Sequence, residues 1–240
     1  GYRYAGVAKA QRPGVCPPEQ HLPSAHQEPS WCSLEPERYP PAEYRPVSED
    51  GGEAVIIGVT GYARHGKDSI ATRLVDAWGF DRLGFADALK ALLLEVNPYI
   101  WDGLRVSHLI AHGWEAGKEV PEIRRLLQTL GTGVRDIVSE RAWIDALERE
   151  WLCRGRPHTV VPDVRFPNEA AFIKRHGGVL IRVIRPNFNN GVDPNHESER
   201  HVPNLPADFE IINDGDLTDL AMKVDAVMAD IQEGFYAHRL

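Results

Sequence analysis

Cysteine is scarce in this sequence, with three residues, Cys16, Cys32 and Cys153, among 240. An odd and small number of cysteines argues against the disulfide framework of a small secreted protein and fits a reducing compartment. Long apolar runs are also missing, since none approaches the roughly 18 residues that a membrane-spanning helix requires. The first residues lack the apolar segment of a signal peptide. We therefore expect a soluble cytoplasmic protein without a membrane partner.

An excess of positive charge is absent too. Lysine and arginine number 27 against 35 aspartates and glutamates, which gives a formal net charge of −8 and a pI near 5.7. Proteins that bind long nucleic acids usually present a basic face, so we expect no such partner. A local basic pocket for a small anion stays compatible with this balance. The apolar share of 42% is that of an ordinary globular domain.

Residues 1–52 differ in composition from the rest of the chain. They are rich in Pro, Glu, Ser and Gly and show no periodic apolar pattern, which predicts an N-terminal arm that is extended or partly disordered. The arm contains Cys16, His21, His26 and Cys32, four possible zinc ligands. Structural zinc sites usually contain closely spaced cysteine pairs, which are missing here, so an unstructured tail is the favoured interpretation.

Strand and helix patterns alternate from residue 53 onward, and residues 53–240 are expected to form one domain. The expected strands are 54–60, 158–164, 179–185 and 210–213. The expected helices are 67–78, 86–96, 119–130, 139–153, one with Pro167 in its first turn, and a closing helix from Leu217 onward. Gly131 is expected to end the helix 119–130. The alternation predicts an α/β fold of three layers, in which a parallel sheet is flanked by helices.

The strongest motif is the segment 61–69, GYARHGKDS, which has the GxxxxGK spacing of a phosphate-binding loop. It follows an apolar strand and precedes an amphipathic helix, the context that this motif requires. The glycines let backbone N–H groups surround phosphate oxygens at the helix N-terminus, and Lys67 supplies a compact cation for the β- and γ-phosphates. The expected nucleotide contacts are Gly61, Ala63, Arg64, His65, Gly66, Lys67, Asp68 and Ser69.

One position of this loop departs from the usual pattern. Asp68 follows Lys67, where a serine or threonine hydroxyl normally binds Mg²⁺, and Ser69 comes one position later. Either the Asp68 carboxylate serves the metal, directly or through water, or the identity of that ligand is open. Asp163 lies at the carboxyl end of a buried strand and is a further candidate. It would hold Mg²⁺ through water, position the acceptor, or cap the next helix.

A phosphate-binding loop does not by itself distinguish a kinase from a GTPase or a motor. The guanine-recognition motif NKxD is absent, and several further segments suit a second anion. Parallel sheets bind ligands at the carboxyl ends of their strands, where some of these segments lie. The segments are 85–90 (FADALK), 127–132 (LQTLGT) with Arg135 beyond it, 163–169 (DVRFPNE), 196–199 (HESE) and 213–215 (NDG).

Taken in order, the motifs GxxxxGKD, FADxLK, LLQxLGT with a following arginine, DVRFPNEA, HxSE and NDG resemble those of the bacteriophage deoxynucleoside monophosphate kinases. The resemblance covers about residues 54–232. It implies a P-loop NTPase fold like that of nucleoside monophosphate kinases, with ATP and Mg²⁺ as cofactors. The implied reaction is phosphoryl transfer from ATP to a deoxynucleoside monophosphate (dNMP) in the cytoplasm, that of the host if the protein is viral.

Two residues depart from the pattern of this family. Pro162 precedes Asp163 inside the expected strand, where proline removes a backbone donor from the sheet. Gly133 stands between Thr132 and Arg135, where an acidic residue is expected. These departures bear on the geometry of the strand end and on acceptor selectivity.

Two other functions stay open: a kinase of another small phosphorylated acceptor, and a nucleotide-binding regulatory module. A homodimer is a common assembly for soluble proteins.

The expected chemistry needs no strong base, because the attacking oxygen belongs to a phosphate that is already anionic. Catalysis should come from positioning and charge neutralisation, with Lys67 on the donor side. Arg135 and Arg165 are candidates for holding the acceptor phosphate, since a guanidinium matches phosphate oxygens in a bidentate manner; the alternative is an ordinary ion pair. Arg64 is expected to touch the transferring phosphate or to point into solvent.

The resemblance assigns further residues to the acceptor side. It gives Asp87 an acceptor role, although Asp87 and Lys90 also suit a plain i, i+3 pair on a helix. Gln128 is expected to read the base edge or to lie on the exposed face of its helix. The full set of expected acceptor residues is Phe85, Asp87, Lys90, Gln128, Thr132, Arg135, Asp163, Arg165, Asn168, Glu169, His196 and Glu199.

The segment 186–206 is polar and rich in Pro and Asn. A loop of this length inside a compact domain usually has a function, and we expect it to be a lid that excludes water. His196 and Glu199 belong to this candidate lid. Arg185 leads into it and is expected on the ATP side.

Overall fold

The computed structural model describes residues 54–101, 103–188 and 200–237, and side chains as far as residue 233. The predicted arm 1–52 with its four candidate zinc ligands, most of the candidate lid, and both His196 and Glu199 lie outside the described residues. No helix within the described ranges is long and apolar enough to cross a membrane.

Five parallel strands form the central sheet. The strands of the described ranges are β1 (Ile56–Thr60), β2 (Asp81–Arg82), β3 (Tyr99–Trp101), β4 (Leu104–Arg105), β5 (Thr159–Val164), β6 (Val179–Ile184) and β7 (Phe209–Ile212). The sheet has the order β2-β5-β1-β6-β7, every neighbouring pair is parallel, and β3 and β4 form a separate antiparallel hairpin. The predicted parallel sheet is confirmed, and the carboxyl ends of its strands share one edge.

Helices cover both faces of this sheet. They are α1 (Lys67–Trp78), α2 (Phe85–Val96), α3 (Val106–Leu109), α4 (Trp114–Gly117), α5 (Pro121–Ile137), α6 (Ala142–Cys153), α7 (Pro167–Arg175) and α8 (Leu217–Ala237), with a 3₁₀ turn at Val202–Asn204. One core contains Leu74 of α1 and Val224 of α8, and the other contains Phe85 of α2, Trp151 of α6 and Phe172 of α7. Each fully buried side chain of this size contributes roughly 1.5–3 kcal/mol by leaving water. The three-layer α/β fold is confirmed.

The prediction that Gly131 ends its helix is wrong, because α5 continues to Ile137. A Cβ at Gly131 would lie 3.1 Å from Cδ2 of Leu89, so glycine lets α2 approach closely at this point. The carbonyl of Gly131 also accepts a hydrogen bond from Trp143 Nε1 at 3.0 Å. Packing therefore outweighs the low helix propensity of glycine, which is about 1 kcal/mol below that of alanine.

Pro162 lies at an irregularity of β5. Gly58 is in register with Val161 and Thr60 with Val164, so β5 has one more residue than β1 between these pairs. Pro162 and Asp163 occupy this stretch. Proline is tolerated at such a bulge because a residue there has no obligatory ladder donor, and the extra residue re-aims the neighbouring side chain.

Candidate active site

The phosphate-binding loop connects β1 to α1 at the carboxyl edge of the sheet. Its two glycines are required by geometry. Gly61 has φ 149°, and a Cβ there would lie 2.5 Å from the carbonyl oxygen of Val183. Gly66 has φ 108° immediately before α1, and its Cβ would lie 2.7 Å from Asn213 Nδ2. Residues with side chains fit neither position, so the predicted spacing of the motif is also a steric requirement.

Lys67 is held against the loop by two backbone carbonyls. Its side chain donates hydrogen bonds from Nζ to the oxygens of Gly61 and Tyr62, each at 2.8 Å, and the residue is 7% exposed. A cavity of about 200 Å³ lies beside it, lined by Arg64, Gly66, Lys67, Asp68 and Ser69. The ammonium is thereby fixed next to the start of α1, where backbone N–H groups and the helix dipole favour an anion.

His65 and Asn213 brace the loop against the neighbouring strands. His65 is 6% exposed, and its Nδ1 accepts a hydrogen bond from the backbone N–H of Arg185 at 3.1 Å. Asn213 follows β7 and donates from Nδ2 to the carbonyl of His65 at 2.9 Å. The ends of β6 and β7 therefore fix the shape of the loop. The predicted contact of His65 with a nucleotide stays a prediction.

Asp68 and Ser69 present oxygen atoms at the same cavity. The Asp68 side chain is 77% exposed and lies 3.4 Å from Nη2 of Arg82. Carboxylate and hydroxyl oxygens, with water completing the shell, are the ligands that Mg²⁺ prefers, so these two residues fit the ion. Arg64 has φ 64° and an exposed side chain 3.7 Å from Glu119.

A groove of about 380 Å³ lies beside the loop between α1 and α8. Its lining residues are Asp68, Ser69, Thr72, Arg73, Asp76, Leu217, Leu220, Ala221 and Val224. The α8 wall is apolar and the α1 wall is polar, a combination that suits an organic ligand with one flat apolar face. On the β6 side of the loop, Cζ of Arg185 lies 4.5 Å from the ring centre of Phe188.

Asp163 caps the N-terminus of α2. Its Oδ1 accepts the N–H of Phe85 at 3.0 Å and its Oδ2 the N–H of Ala86 at 2.8 Å. Burial raises the pKa of Asp163, against the opposing effect of these two donors. Among its predicted roles, the geometry favours helix capping over Mg²⁺ binding, since both oxygens already have backbone partners. The capped helix is α2, whereas capping of α7 had been expected.

Asp87 and Lys90 lie on the first turns of α2. Oδ2 of Asp87 accepts the N–H of Gly84 at 2.8 Å, and Oδ1 lies 3.2 Å from Nζ of Lys90. The i, i+3 pair is therefore formed. An acceptor role for either residue stays a prediction.

Glu169 is a buried carboxyl at the start of α7. It is 5% exposed, and its Oε2 accepts the N–H groups of Arg165 at 2.8 Å and Phe166 at 3.0 Å. Burial raises the pKa of Glu169 to about 7, and the charge of Asp163 acts in the same direction. Asn168 accepts the N–H of Glu169 at 3.0 Å. The β5–α7 turn is thus organised around one carboxyl group.

Arg135 projects from α5 onto this turn. Its side chain is 15% exposed, its Cζ lies 3.3 Å from the ring centre of Phe166, and its Nη1 is 3.9 Å from Oε1 of Glu169. Within the described part of the chain, no hydrogen-bond acceptor lies in reach of its guanidinium. A largely buried cation whose N–H groups have no such acceptor is suited to bind an anion.

Gln128, Thr132 and Arg135 fall on one face of α5, because their spacings of four and three residues match the helical repeat. Gln128 is exposed and Thr132 half-buried. The structure therefore groups Arg135, Arg165, Asn168 and Glu169 around the β5–α7 turn. A second group, Phe85, Asp87 and Lys90, surrounds the start of α2.

Three residues of the site were absent from the predicted set. Asn213 and Phe166 lay inside quoted motifs, NDG and DVRFPNEA, whereas Phe188 lay in the candidate lid. All three follow a strand of the parallel sheet within four residues, and this position was the available signal, because such residues lie at the ligand-binding edge of the sheet.

Comparison with known proteins decides the family. A family model described as deoxynucleotide monophosphate kinase matches residues 105–224. A putative deoxynucleotide monophosphate kinase of Acanthamoeba polyphaga mimivirus is 31% identical over 184 residues, which are 66% of this chain and 88% of the relative. The chain belongs to the deoxynucleotide monophosphate kinase family. The resemblance inferred from the motifs is confirmed.

Another member of similar name is more distant. The deoxynucleoside-5'-monophosphate kinase of Escherichia phage T5 is 29% identical over 96 residues, 38% of this chain and 38% of the relative. Among solved structures, a gluconokinase from Sinorhizobium meliloti superposes with a TM-score of 0.44 at 14% identity, covering 78% of this chain and 97% of its own. So loose a superposition says nothing about substrates.

Proposed function

We propose that this member of the deoxynucleotide monophosphate kinase family transfers the γ-phosphoryl group of ATP to a dNMP, forming a deoxynucleoside diphosphate and ADP. The observation that carries the proposal is the phosphate-binding loop, with Lys67 held beside an anion cavity, in a chain of this family. The named relatives are viral, and supply of DNA precursors in the host cytoplasm is the corresponding role.

On the donor side, the loop 61–69 and the start of α1 would bind the phosphates of ATP. Asp68 and Ser69 would hold Mg²⁺, which neutralises phosphate charge when bound. The groove between α1 and α8 would take the nucleoside, and Arg185, whose backbone N–H donates to His65, would lie on the ATP side. Lys67 would stabilise the charge that develops on the β–γ bridging oxygen as ADP leaves.

On the acceptor side, Arg135 and Arg165 would hold the phosphate of the dNMP. An oxygen of this phosphate forms the new bond to the γ-phosphorus, while the bond from that phosphorus to the bridging oxygen breaks. No proton has to be removed from the attacking oxygen, so the arginines act by position and charge. Arg64, exposed beside the cavity, would reach the transferring group only by leaving Glu119.

The remaining assignments follow from the family. Gln128 and Thr132 share a helix face with Arg135 and would contact the base or sugar. Phe85, Asp87, Lys90, Asn168 and Glu169 would complete the acceptor side, and the segment 186–206 with His196 and Glu199 would close over it. We place no long nucleic acid and no membrane among the partners, and a homodimer is the expected assembly.

The test is ADP release in a coupled assay with ATP and Mg²⁺. The acceptors are dTMP, dGMP, dCMP and dAMP, with the matching ribonucleotides to measure sugar selectivity. We expect acceptor-dependent turnover with at least one dNMP, and a loss of about 10²-fold or more in kcat for Lys67→Met. Methionine preserves the length of the side chain, and circular dichroism checks that the variant is folded.

A wild-type protein that binds ATP but releases no ADP on addition of any dNMP would contradict the proposal. Turnover with a different phosphorylated acceptor would then identify a kinase of another specificity. ATP binding without any acceptor dependence would indicate a regulatory module.

A further inference from the structure

Phe166 provides a flat surface beneath Arg135. The Cζ atom of Arg135 lies 3.3 Å from the centre of the phenyl ring, which is van der Waals contact between the guanidinium and the ring face. The contact is with the π-electron face, whose partial negative charge attracts a cation. The two side chains come from different elements, Arg135 from α5 and Phe166 from the turn between β5 and α7.

The backbone of Phe166 is fixed, and its ring contacts a second aromatic ring. The backbone N–H of Phe166 donates to Oε2 of Glu169 at 3.0 Å, and Pro167 fixes the chain direction as the first residue of α7. The ring of His201 lies 5.9 Å from that of Phe166, centre to centre, at a tilt of 48°. The ring of Phe166 therefore extends from a fixed backbone position and lies in contact with both Arg135 and His201.

This support restrains Arg135 without using its donors. A guanidinium presents its N–H groups in its own plane, so stacking on a ring occupies the face and leaves the edges for a phosphate. The pairing with Glu169 at 3.9 Å is longer than a hydrogen bond, and within the described residues no other acceptor is in reach. The contact with the Phe166 ring at 3.3 Å is therefore shorter than the contact with Glu169, and it sets the plane of the guanidinium.

We propose that Phe166 is a positioning residue for the acceptor phosphate: its ring face orients the guanidinium of Arg135 for bidentate binding. The inference rests on the proposed function and deepens it. It assigns to Phe166 an effect on acceptor binding alone, and this effect is exerted through Arg135. Phe166 itself need not touch the substrate.

The test compares Phe166→Leu with Phe166→Tyr in steady-state assays that vary the dNMP and ATP separately. Leucine keeps apolar volume but has no π face, whereas tyrosine keeps the face. We expect Phe166→Leu to raise the KM for the dNMP by roughly three- to tenfold while the KM for ATP stays unchanged, and Phe166→Tyr to behave like the wild type. Melting temperatures check that both variants are folded.

Tyr99→Leu is the matched control. Cζ of Arg105 lies 4.2 Å from the ring centre of the exposed Tyr99, whose hydroxyl also accepts a hydrogen bond from Nη2 of Arg105 at 3.0 Å, in a hairpin to which no acceptor residue is assigned. This variant loses a cation–π contact, together with the hydrogen bond to the tyrosine hydroxyl, away from the acceptor side and should leave both KM values unchanged. Equal effects of Tyr99→Leu and Phe166→Leu would overturn the proposal.

A double-mutant cycle tests whether Phe166 acts through Arg135. In an Arg135→Ala background, Phe166→Leu should change the KM for the dNMP by less than about twofold, because the guanidinium that it orients is gone. An undiminished effect in that background would overturn the proposal, as would a rise in the KM for ATP equal to that for the dNMP.

Calorimetric binding of dTMP, without ATP, separates this inference from the proposed function. Weaker binding to Phe166→Leu than to wild type supports the positioning role even if no turnover is found. A wild-type protein that neither binds nor phosphorylates any dNMP would overturn both.

Discussion

Glu169 couples the protonation of a single carboxyl group to folding. Burial raises its pKa from 4.5 to about 7, and the nearby Asp163 adds to the shift, although the N–H groups of Arg165 and Phe166 oppose it. The folded protein therefore holds this proton more tightly than the unfolded chain does. The contribution of this proton to the free energy of unfolding is fully present below pH 4.5 and is lost as the pH rises through about 7.

Glu169→Gln should remove this pH dependence. The glutamine amide is neutral at every pH and its oxygen accepts the same two backbone donors. We expect the free energy of unfolding of the wild type, relative to that of the variant, to fall between pH 5 and pH 8. Urea denaturation at a series of pH values measures the difference, and parallel curves for the two proteins would show that Glu169 has an ordinary pKa.

Most residues of the candidate site were predicted from the sequence, but what each of them contacts was not. Arg135 and Glu169 were both predicted to lie on the acceptor side. That the first stacks on Phe166, and that the second is buried enough to hold its proton, depends on side-chain packing between α5 and α7. No spacing along the chain encodes those contacts.

Helix α5 illustrates how packing overrides local preference. Gly131 and Gly133 both lie inside it, yet their surroundings differ. A Cβ at Gly131 would come within 3.1 Å of Leu89, whereas a Cβ at Gly133 would have no atom within 4 Å. The first glycine is explained by close approach to α2, and the second leaves open space two residues before Arg135.

Gly133→Ala should stabilise the protein by about 0.5–1 kcal/mol, because alanine has the higher helix propensity and nothing obstructs its methyl group. Gly131→Ala is the matched comparison and should gain less, since Leu89 has to move. Thermal or urea denaturation of both variants provides the measurement. A loss of stability for Gly133→Ala would mean that the space beside it is filled in the folded protein.

Elements with a clear local pattern were predicted well from the sequence. α1 begins at Lys67 and ends at Trp78 as expected, and β6 ends one residue from its predicted limit. The end of α5 was wrong and the β3–β4 hairpin was not predicted. These strands have three and two residues, which is too short for an alternating pattern to be recognised.

At the scale of the whole molecule, the described residues contain both cores of the sheet, the phosphate-binding loop and Arg135. The composition of residues 1–52 predicts an arm that adds little to either core. We therefore expect a chain lacking residues 1–52 to fold with a similar melting temperature and to keep the kcat and KM values of the full chain. A folded but inactive truncated protein would show that the arm contributes to the site.

The position of β1 in the sheet has a consequence for synthesis of the chain. Among the strands of the described residues β1 is translated first, but its partners are β5 and β6, with Ile56 beside Thr159 and Ile57 beside Val179. At roughly 5–20 residues per second, β1 waits on the order of 5–20 s for its first partner to be translated. During this interval the apolar strand has no neighbouring strand with which to form its backbone hydrogen bonds. Newly made chains on one messenger are therefore most exposed to mutual aggregation before their C-terminal half emerges, so yield should improve when initiation is infrequent and ribosomes are sparse on each messenger.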